Sequence, residues 1–283
     1  MAADNIFLRR KFFISIVFVA SCLRSNPQSI IPASLPKIAH GFIVVAHRGD
    51  HTQAPENTLT AFENAIREGV DYVEIDLRTT KDSQLIIMHD ASVDRMTDGK
   101  GFVKDLVLDD IHKLKVKNKT HPEWGEHSVP TFREVLALCR NKINIYLDFK
   151  NADPGEAYKQ LLEYDMEKQV LVYINNEDQF HKWRKLAPQI PLMLSLPDDV
   201  KDDKSVKVFL DKTGIPILDG GHAQYSSAMV KAAMEMGCIV VPDIQQPVED
   251  APLWESAIKK GISGLQTDHP VALINFLTER KIR

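Results

Sequence analysis

From residue 42 onward, short apolar runs rich in β-branched residues alternate with longer segments whose apolar positions recur at helical spacing. The runs read as strands at 42–47, 72–78, 85–89, 143–149, 170–174, 191–196, 215–219, 238–244 and 262–266. Segments such as 58–68, 132–140, 179–186, 226–236 and 253–260 read as amphipathic helices. Strands that are apolar on both faces and separated by helices belong to a parallel sheet covered on both sides. So many repeats in about 240 residues predict an α/β fold of the TIM (β/α)8 barrel type rather than an open sheet.

Nine runs exceed the eight strands of such a barrel, and the spacing shows which one is extra. Only residues 79–84 separate the second and third runs, too few for a parallel crossover, so these two form an antiparallel hairpin. If Asp82-Ser83 is a two-residue turn, His89 falls opposite Asp76 and Met88 opposite Leu77. Residues 91–130 follow without a strand–helix period and read as a small insertion over the C-terminal end of the barrel, the face on which active sites of this fold lie.

Composition narrows the function. Of 283 residues, 35 are Lys or Arg against 39 Asp or Glu, a formal net charge of −4. That balance argues against a nucleic-acid binder, which neutralises phosphates with excess basic charge. The three cysteines, Cys22, Cys139 and Cys238, are too few for a disulfide framework, and the latter two read as buried small residues. Arg9, Arg10 and Lys11 precede the apolar stretch 12–20 and then Ser21-Cys22, so residues 1–22 read as an export segment whose nine-residue apolar stretch is too short to span a bilayer. Val19-Ala20-Ser21-Cys22 also resembles a bacterial lipobox, with an ordinary cleaved signal as the plainer alternative. Residues 23–41 read as a tether and 42–283 as one domain. The expected protein is exported, periplasmic or membrane-anchored, and touches a membrane only through a lipid on Cys22. Its partner is a small molecule; its oligomeric state is not legible.

Candidate chemistry gathers at strand ends. His47-Arg48-Gly49 closes the first strand with a titratable group, a fixed cation and a residue that permits close backbone approach. In Pro55-Glu56-Asn57-Thr58, a helix start capped by Asn57 or Thr58 accounts for every residue except Glu56. Glu74 and Asp76 leave one face of their strand, where two unpaired carboxylates are costly. A hard divalent cation removes that cost more readily than a pair of salt bridges. His89-Asp90 returns on the hairpin. Asp148 and Lys150 share a face at the end of a later strand, offering a third carboxylate and a movable positive charge for an anionic substrate.

In order and spacing, His47-Arg48-Gly49, Pro55-Glu56-Asn57-Thr58, Glu74-x-Asp76, Thr80-Lys81-Asp82 and His89-Asp90 resemble the glycerophosphodiester phosphodiesterases. The segment from Gly261 to Pro270 is similar to the closing Gly-x-x-Gly-x-x-Thr-Asp-x-Pro of that family. The resemblance implies a TIM barrel, a Ca²⁺ or Mg²⁺ ion on Glu74, Asp76 and Asp148, an acid–base pair in His47 and His89, and phosphate contacts from Arg48 and Lys150 with Glu56 close by. Three departures stand out. Asp148 replaces a usual glutamate, Ser83 a usual glycine, and Pro242-Asp243-Ile244-Gln245 stands where many members carry Trp-Thr-Val-Asn. The last change leaves two other readings open: a lysophospholipase D or sphingomyelinase D-like enzyme on the same scaffold, and a non-catalytic phosphodiester-binding lipoprotein.

Overall fold

The computed structural model describes residues 33–117, 121–246 and 248–283. The export segment and Cys22 lie outside the described residues. Among the described residues, nine strands and nine α-helices run in chain order as β1 Ile43–Ala46, α1 Leu59–Arg67, β2 Tyr72–Thr79, β3 Leu85–Ile87, α2 Leu108–Ile111, α3 Phe132–Cys139, β4 Asn144–Phe149, α4 Pro154–Glu163, β5 Val170–Ile174, α5 Glu177–Leu186, β6 Leu192–Ser195, α6 Asp203–Thr213, β7 Ile217–Asp219, α7 Ser227–Glu235, β8 Ile239–Val240, α8 Ala251–Lys259, β9 Gly264–Thr267 and α9 Pro270–Glu279. Thr58, Thr131, Asp153, Asn176, Asp202, Ser226 and Asp250 each cap a helix by accepting a bond from a backbone N–H in the first turn, which explains where the helical periods start.

Eight strands are parallel, in the order β8-β7-β6-β5-β4-β2-β1-β9, and helices cover their outer faces. The ring closes between β8 and β9 through a parallel bridge from Asp243 to Gln266, with Ile244 N donating to Gln266 O at 3.1 Å and Gln266 N to Pro242 O at 3.0 Å. The expected strand 238–244 is shorter because Pro242 lacks the N–H that would face β9 at this point. The TIM barrel read from the alternating periods is the fold observed.

The pleat sorts the interior into layers. Ile43, Val45, Tyr72, Tyr146, Leu171, Met193, Ile217 and Val241 point inward near the strand starts and form an apolar floor. Two and four residues further along β2, and two further along β4, the same inward face carries Glu74, Asp76 and Asp148. The described part of the expected tether, residues 33–41, is docked rather than free. Leu35 packs on the floor, Asn144 Nδ2 donates to Lys37 O at 2.8 Å, and His40 Nδ1 pairs with the buried Asp71 at 2.9 Å.

The hairpin exists, but its register is one residue from the expected one. Leu77 pairs with Ile87, Arg78 with Ile86 and Thr79 with Leu85, and Met88 N donates to Asp76 O at 2.9 Å. The turn has three residues, not two. Thr80 N donates to Gln84 O at 2.9 Å, and Ser83 takes the left-handed φ of 63° that a glycine would occupy more easily. Met88, not His89, therefore faces Asp76 across the ladder. His89 still comes within electrostatic range of Asp76, because the strand ends at Ile87 and the Arg78 guanidinium grips the Met88 and His89 carbonyls at 3.1 and 3.0 Å. Residues 91–117 and 121–130 form a small body with its own core, where Val93, Val103, Ile111, Val116 and Val129 pack on Ile86 and Met88.

Barrel closure also rests on Gly264, which pairs with Ile43; an added Cβ would collide with the Ile43 side chain and carbonyl oxygen. Gly264→Ala is expected to destabilise the protein by about 1–3 kcal/mol, read as a lower denaturation midpoint at unchanged m-value.

Candidate active site

The inward faces of β2 and β4 bring three carboxylates together. Asp76 and Asp148 are register partners, and one oxygen from each of Glu74, Asp76 and Asp148 lies within 4.8 Å of the others. Glu74 and Asp76 are only 2% and 1% exposed, so neighbours must offset their charge. Arg48 N donates to Glu74 Oε2 at 2.8 Å, and its guanidinium lies 3.4 Å from Asp76 Oδ2. Asn57 Nδ2 donates to the same oxygen at 2.7 Å. The Lys150 ammonium stands 3.1 Å from Asp76 Oδ1 and ion-pairs with Asp148, which also accepts from Asn175 Nδ2 at 2.8 Å.

These contacts split the titrations. Burial opposes ionisation of Asp76, but Lys150 and Arg48 outweigh it and hold this carboxyl far below its usual range. Glu74 moves the other way: burial, then the charges of Asp76 and Asp148, push it well above its ordinary value. Asp76 Oδ1, fully buried beside the ammonium, lacks a well-aligned hydrogen bond. Clustered hard oxygen donors with an unsatisfied buried oxygen among them fit Ca²⁺ or Mg²⁺.

The loop after β1 supplies the cation at a backbone cost. Arg48 and Asn57 both adopt left-handed conformations, with φ of 55° and 57°, and Asn57 N donates to Arg48 O at 3.0 Å. At Gly49, with φ of 82°, an added Cβ would lie 2.7 Å from the Ala61 carbonyl carbon, so only glycine lets the loop sit on α1. Thr58 is the helix cap, which frees Asn57 for Asp76. Glu56 accepts from Arg48 at 2.8 Å and from Arg95 of the insertion at 2.7 Å. Arg95 also clamps Asp90, with Nε 2.6 Å from Oδ2.

The two histidines share one arrangement. His47 Nδ1 lies 2.6 Å from Asp268 Oδ1, and His89 Nδ1 lies 2.8 Å from Asp90 Oδ1. Each carboxylate is held below its usual range against the effect of burial, Asp90 to about 2 by Arg95 and His89, and Asp268 further by His47 and His51. As acceptors they favour the Nδ1–H tautomer and leave each Nε2 available for proton transfer. Burial, with help from Arg48 and Lys150, lowers the pKa of His89 despite Asp76 and Asp90.

Across the mouth, Tyr146 OH donates to Asp219 Oδ2 at 2.9 Å, and Asp243 accepts from the Gln266 side-chain amide. This is the wall that carries Pro242-Asp243-Ile244-Gln245. Burial and then Asp243 push the Asp219 carboxyl well above its usual value.

The eight residues singled out in the sequence lie at this end of the barrel. Asn57, Asp90, Arg95, Asn175 and Asp268 were not assigned to the site. Asp90 and Asp268 stand inside the quoted motifs, whereas nothing local marks Arg95 or Asn175. Cys139 and Cys238 are free and buried, their thiols pushed up to about 12 by burial, as inert core residues.

Comparison with known proteins agrees with this geometry. The profile of the glycerophosphoryl diester phosphodiesterase family matches residues 47–272. A glycerophosphodiester phosphodiesterase of Caldanaerobacter subterraneus is 31% identical over 83% of this chain and 97% of its own. One from Bacillus altitudinis is 29% identical over 84% and 99%. Among solved structures, a glycerophosphodiester phosphodiesterase from Agrobacterium tumefaciens superposes with a TM-score of 0.75 at 22% identity, over 83% of this chain and 99% of that one. An Oleispira antarctica phosphodiesterase in complex with sn-glycerol-3-phosphate superposes with a TM-score of 0.73 at 21% identity, over 85% and 97%.

The raised pKa of Glu74 has a thermodynamic consequence with a definite sign. In metal-free protein its proton stabilises the fold below its ordinary value of 4.5, and that contribution is lost as pH rises through the higher folded value. A divalent cation needs the carboxylate, so the added thermal stability from Ca²⁺ or Mg²⁺ is expected to grow between about pH 5 and pH 8. At a hundredfold excess over Kd it reaches about 2.7 kcal/mol. Thermal unfolding with EDTA and with each cation reads this directly, and Glu74→Gln is expected to flatten the trend.

Proposed function

Because the chain belongs to the glycerophosphoryl diester phosphodiesterase family, we propose that this barrel mouth hydrolyses glycerophosphodiesters to an alcohol and glycerol 3-phosphate. The observation that carries this reading is the three-carboxylate cluster flanked by two carboxylate-backed imidazoles. The glycerol 3-phosphate bound by the Oleispira phosphodiesterase supports the product.

Glu74, Asp76 and Asp148 would hold Ca²⁺ or Mg²⁺, which would supply Lewis acidity to the phosphodiester. Arg48 and Lys150 bring fixed positive charge to the phosphodiester and stabilise the charge that builds on its oxygens. One imidazole Nε2 accepts the proton of the attacking water or substrate hydroxyl, and the other protonates the leaving alkoxide. Asp268 and Asp90 hold both rings in the tautomer this exchange needs. Glu56 ties Arg48 to Arg95 and so positions the phosphate-binding arginine against the insertion. A scaffold that only bound phosphodiesters would have no use for two oriented proton carriers. Export through the leader 1–22, with Cys22 as lipid acceptor, would place this chemistry outside the cytoplasm.

Glycerol 3-phosphate release from glycerophosphocholine, with lysophosphatidylcholine assayed beside it, tests the reaction. Release in Ca²⁺ or Mg²⁺ and none in EDTA is expected. His47→Ala and His89→Ala are each expected to keep the wild-type circular dichroism while losing about 10²–10⁴-fold in turnover. Wild-type turnover in either variant would refute the assignment, and cleavage of the lysolipid alone would move the substrate to lipids.

A further inference from the structure

Asp268 has a second imidazole partner that hydrolysis does not use. The same Oδ1 that takes His47 Nδ1 at 2.6 Å lies 3.0 Å from His51 Nε2. The three ligand atoms fall within 4.8 Å of one another, and the rings meet edge to face with centroids 6.1 Å apart. The three side chains are 18%, 25% and 30% exposed, so a solvated ion can reach them. Both flanks are fixed in place. Asp50 N donates to Ala61 O at 2.9 Å, Thr52 Oγ1 binds Asp50 at 2.7 Å, and Asp268 N donates to Glu249 at 3.1 Å.

Two imidazole nitrogens and one carboxylate oxygen form a different kind of donor set from the all-oxygen cluster of Glu74, Asp76 and Asp148. Hard Ca²⁺ and Mg²⁺ prefer the latter, whereas nitrogen-containing sets select Zn²⁺ and its neighbours among transition metals. Zinc bonds of about 2.0–2.1 Å place tetrahedral ligand atoms roughly 3.3 Å apart, so the two contacts to Asp268 need to open by less than an ångström while the two nitrogens already lie within 4.8 Å of each other. We propose that His47, His51 and Asp268 form a second metal site, selective for Zn²⁺, whose occupation inhibits the enzyme.

The inhibition follows from proton accounting on His47 and rests on the hydrolytic reading above. Zinc at Nδ1 moves the single proton of the neutral ring to Nε2. That nitrogen can then accept no further proton, and releasing the one it holds would leave a zinc-bound imidazolate. His47 is thus blocked either as base or as acid.

The test is Zn²⁺ titration with Mg²⁺ in large excess, following bound zinc by equilibrium dialysis and hydrolysis of glycerophosphocholine in parallel. Wild type is expected to bind one Zn²⁺ and lose activity with the same concentration dependence. His51→Ala and His51→Gln are expected to keep wild-type hydrolysis in zinc-free buffer and to need at least roughly 10–100-fold more zinc for both effects, the range typical of losing even an outer partner of a metal site. Equal zinc binding and inhibition in wild type and variants would overturn the site, since zinc would then act elsewhere, as at the carboxylates. His51-dependent binding without inhibition would overturn the blocking of His47. Absence of hydrolysis in every metal would refute the functional reading instead, while dialysis would still decide the site.

Discussion

Three carboxylates, two of them buried, with one oxygen of each within 4.8 Å of the others are the constraint on which the rest of this molecule turns. A barrel mouth lined by Glu74, Asp76 and Asp148 repels itself unless positive charge enters it, and much of the nearby architecture supplies that charge. Arg48 takes a left-handed conformation that offers both its backbone N–H and its guanidinium to the cluster. Lys150 reaches in from the end of β4, while Asn57 and Asn175 donate neutral hydrogen bonds to the remaining oxygens. What these groups leave uncompensated falls on Glu74, which keeps its proton to higher pH than an exposed glutamate. The same carboxylate repulsion that raises the Glu74 pKa is what a divalent cation on these oxygens would relieve.

A chain of charges leads outward from the cluster to His89. Asp76 meets Arg48, Arg48 meets Glu56, Glu56 meets Arg95, and Arg95 clamps the Asp90 that holds His89. The insertion is therefore part of the site, since its arginine ion-pairs both with the Glu56 that binds Arg48 and with the Asp90 that binds His89. On the other side, the loop after β9 brings Asp268 to His47, and Glu249 holds that loop through Thr267 and Asp268.

Much of this was legible in the sequence because periodicity and motif spacing are local. The alternation of apolar runs marked the strands, and two carboxylates two residues apart on a barrel strand already implied a shared face and a cation. The hairpin was legible as a hairpin, but not in register. Thr80 and Asp82 bind each other and let Ser83 take a left-handed φ, so one more residue enters the turn. Asn57 or Thr58 could equally cap the helix that follows, and only the folded loop shows Thr58 in that role and Asn57 turned toward Asp76. Arg95 carries no local signal: its partners Glu56 and Asp90 are distinguished from other acidic residues by tertiary placement alone. The departure at 242–245 was visible, yet its effect on β8, where a missing N–H weakens the closing ladder, needed the register of β9.

The most direct test of the central claim is anomalous diffraction from crystals equilibrated with Ca²⁺, an ion that avoids imidazole nitrogen and seeks oxygen. A single peak at about 2.3–2.6 Å from oxygens of Glu74, Asp76 and Asp148, with the Lys150 ammonium displaced from between Asp76 and Asp148, is the expected result. A mouth in which Lys150 keeps both ion pairs at saturating Ca²⁺ and no peak falls among the three carboxylates would contradict it, and the cluster would then be a salt-bridged structural knot.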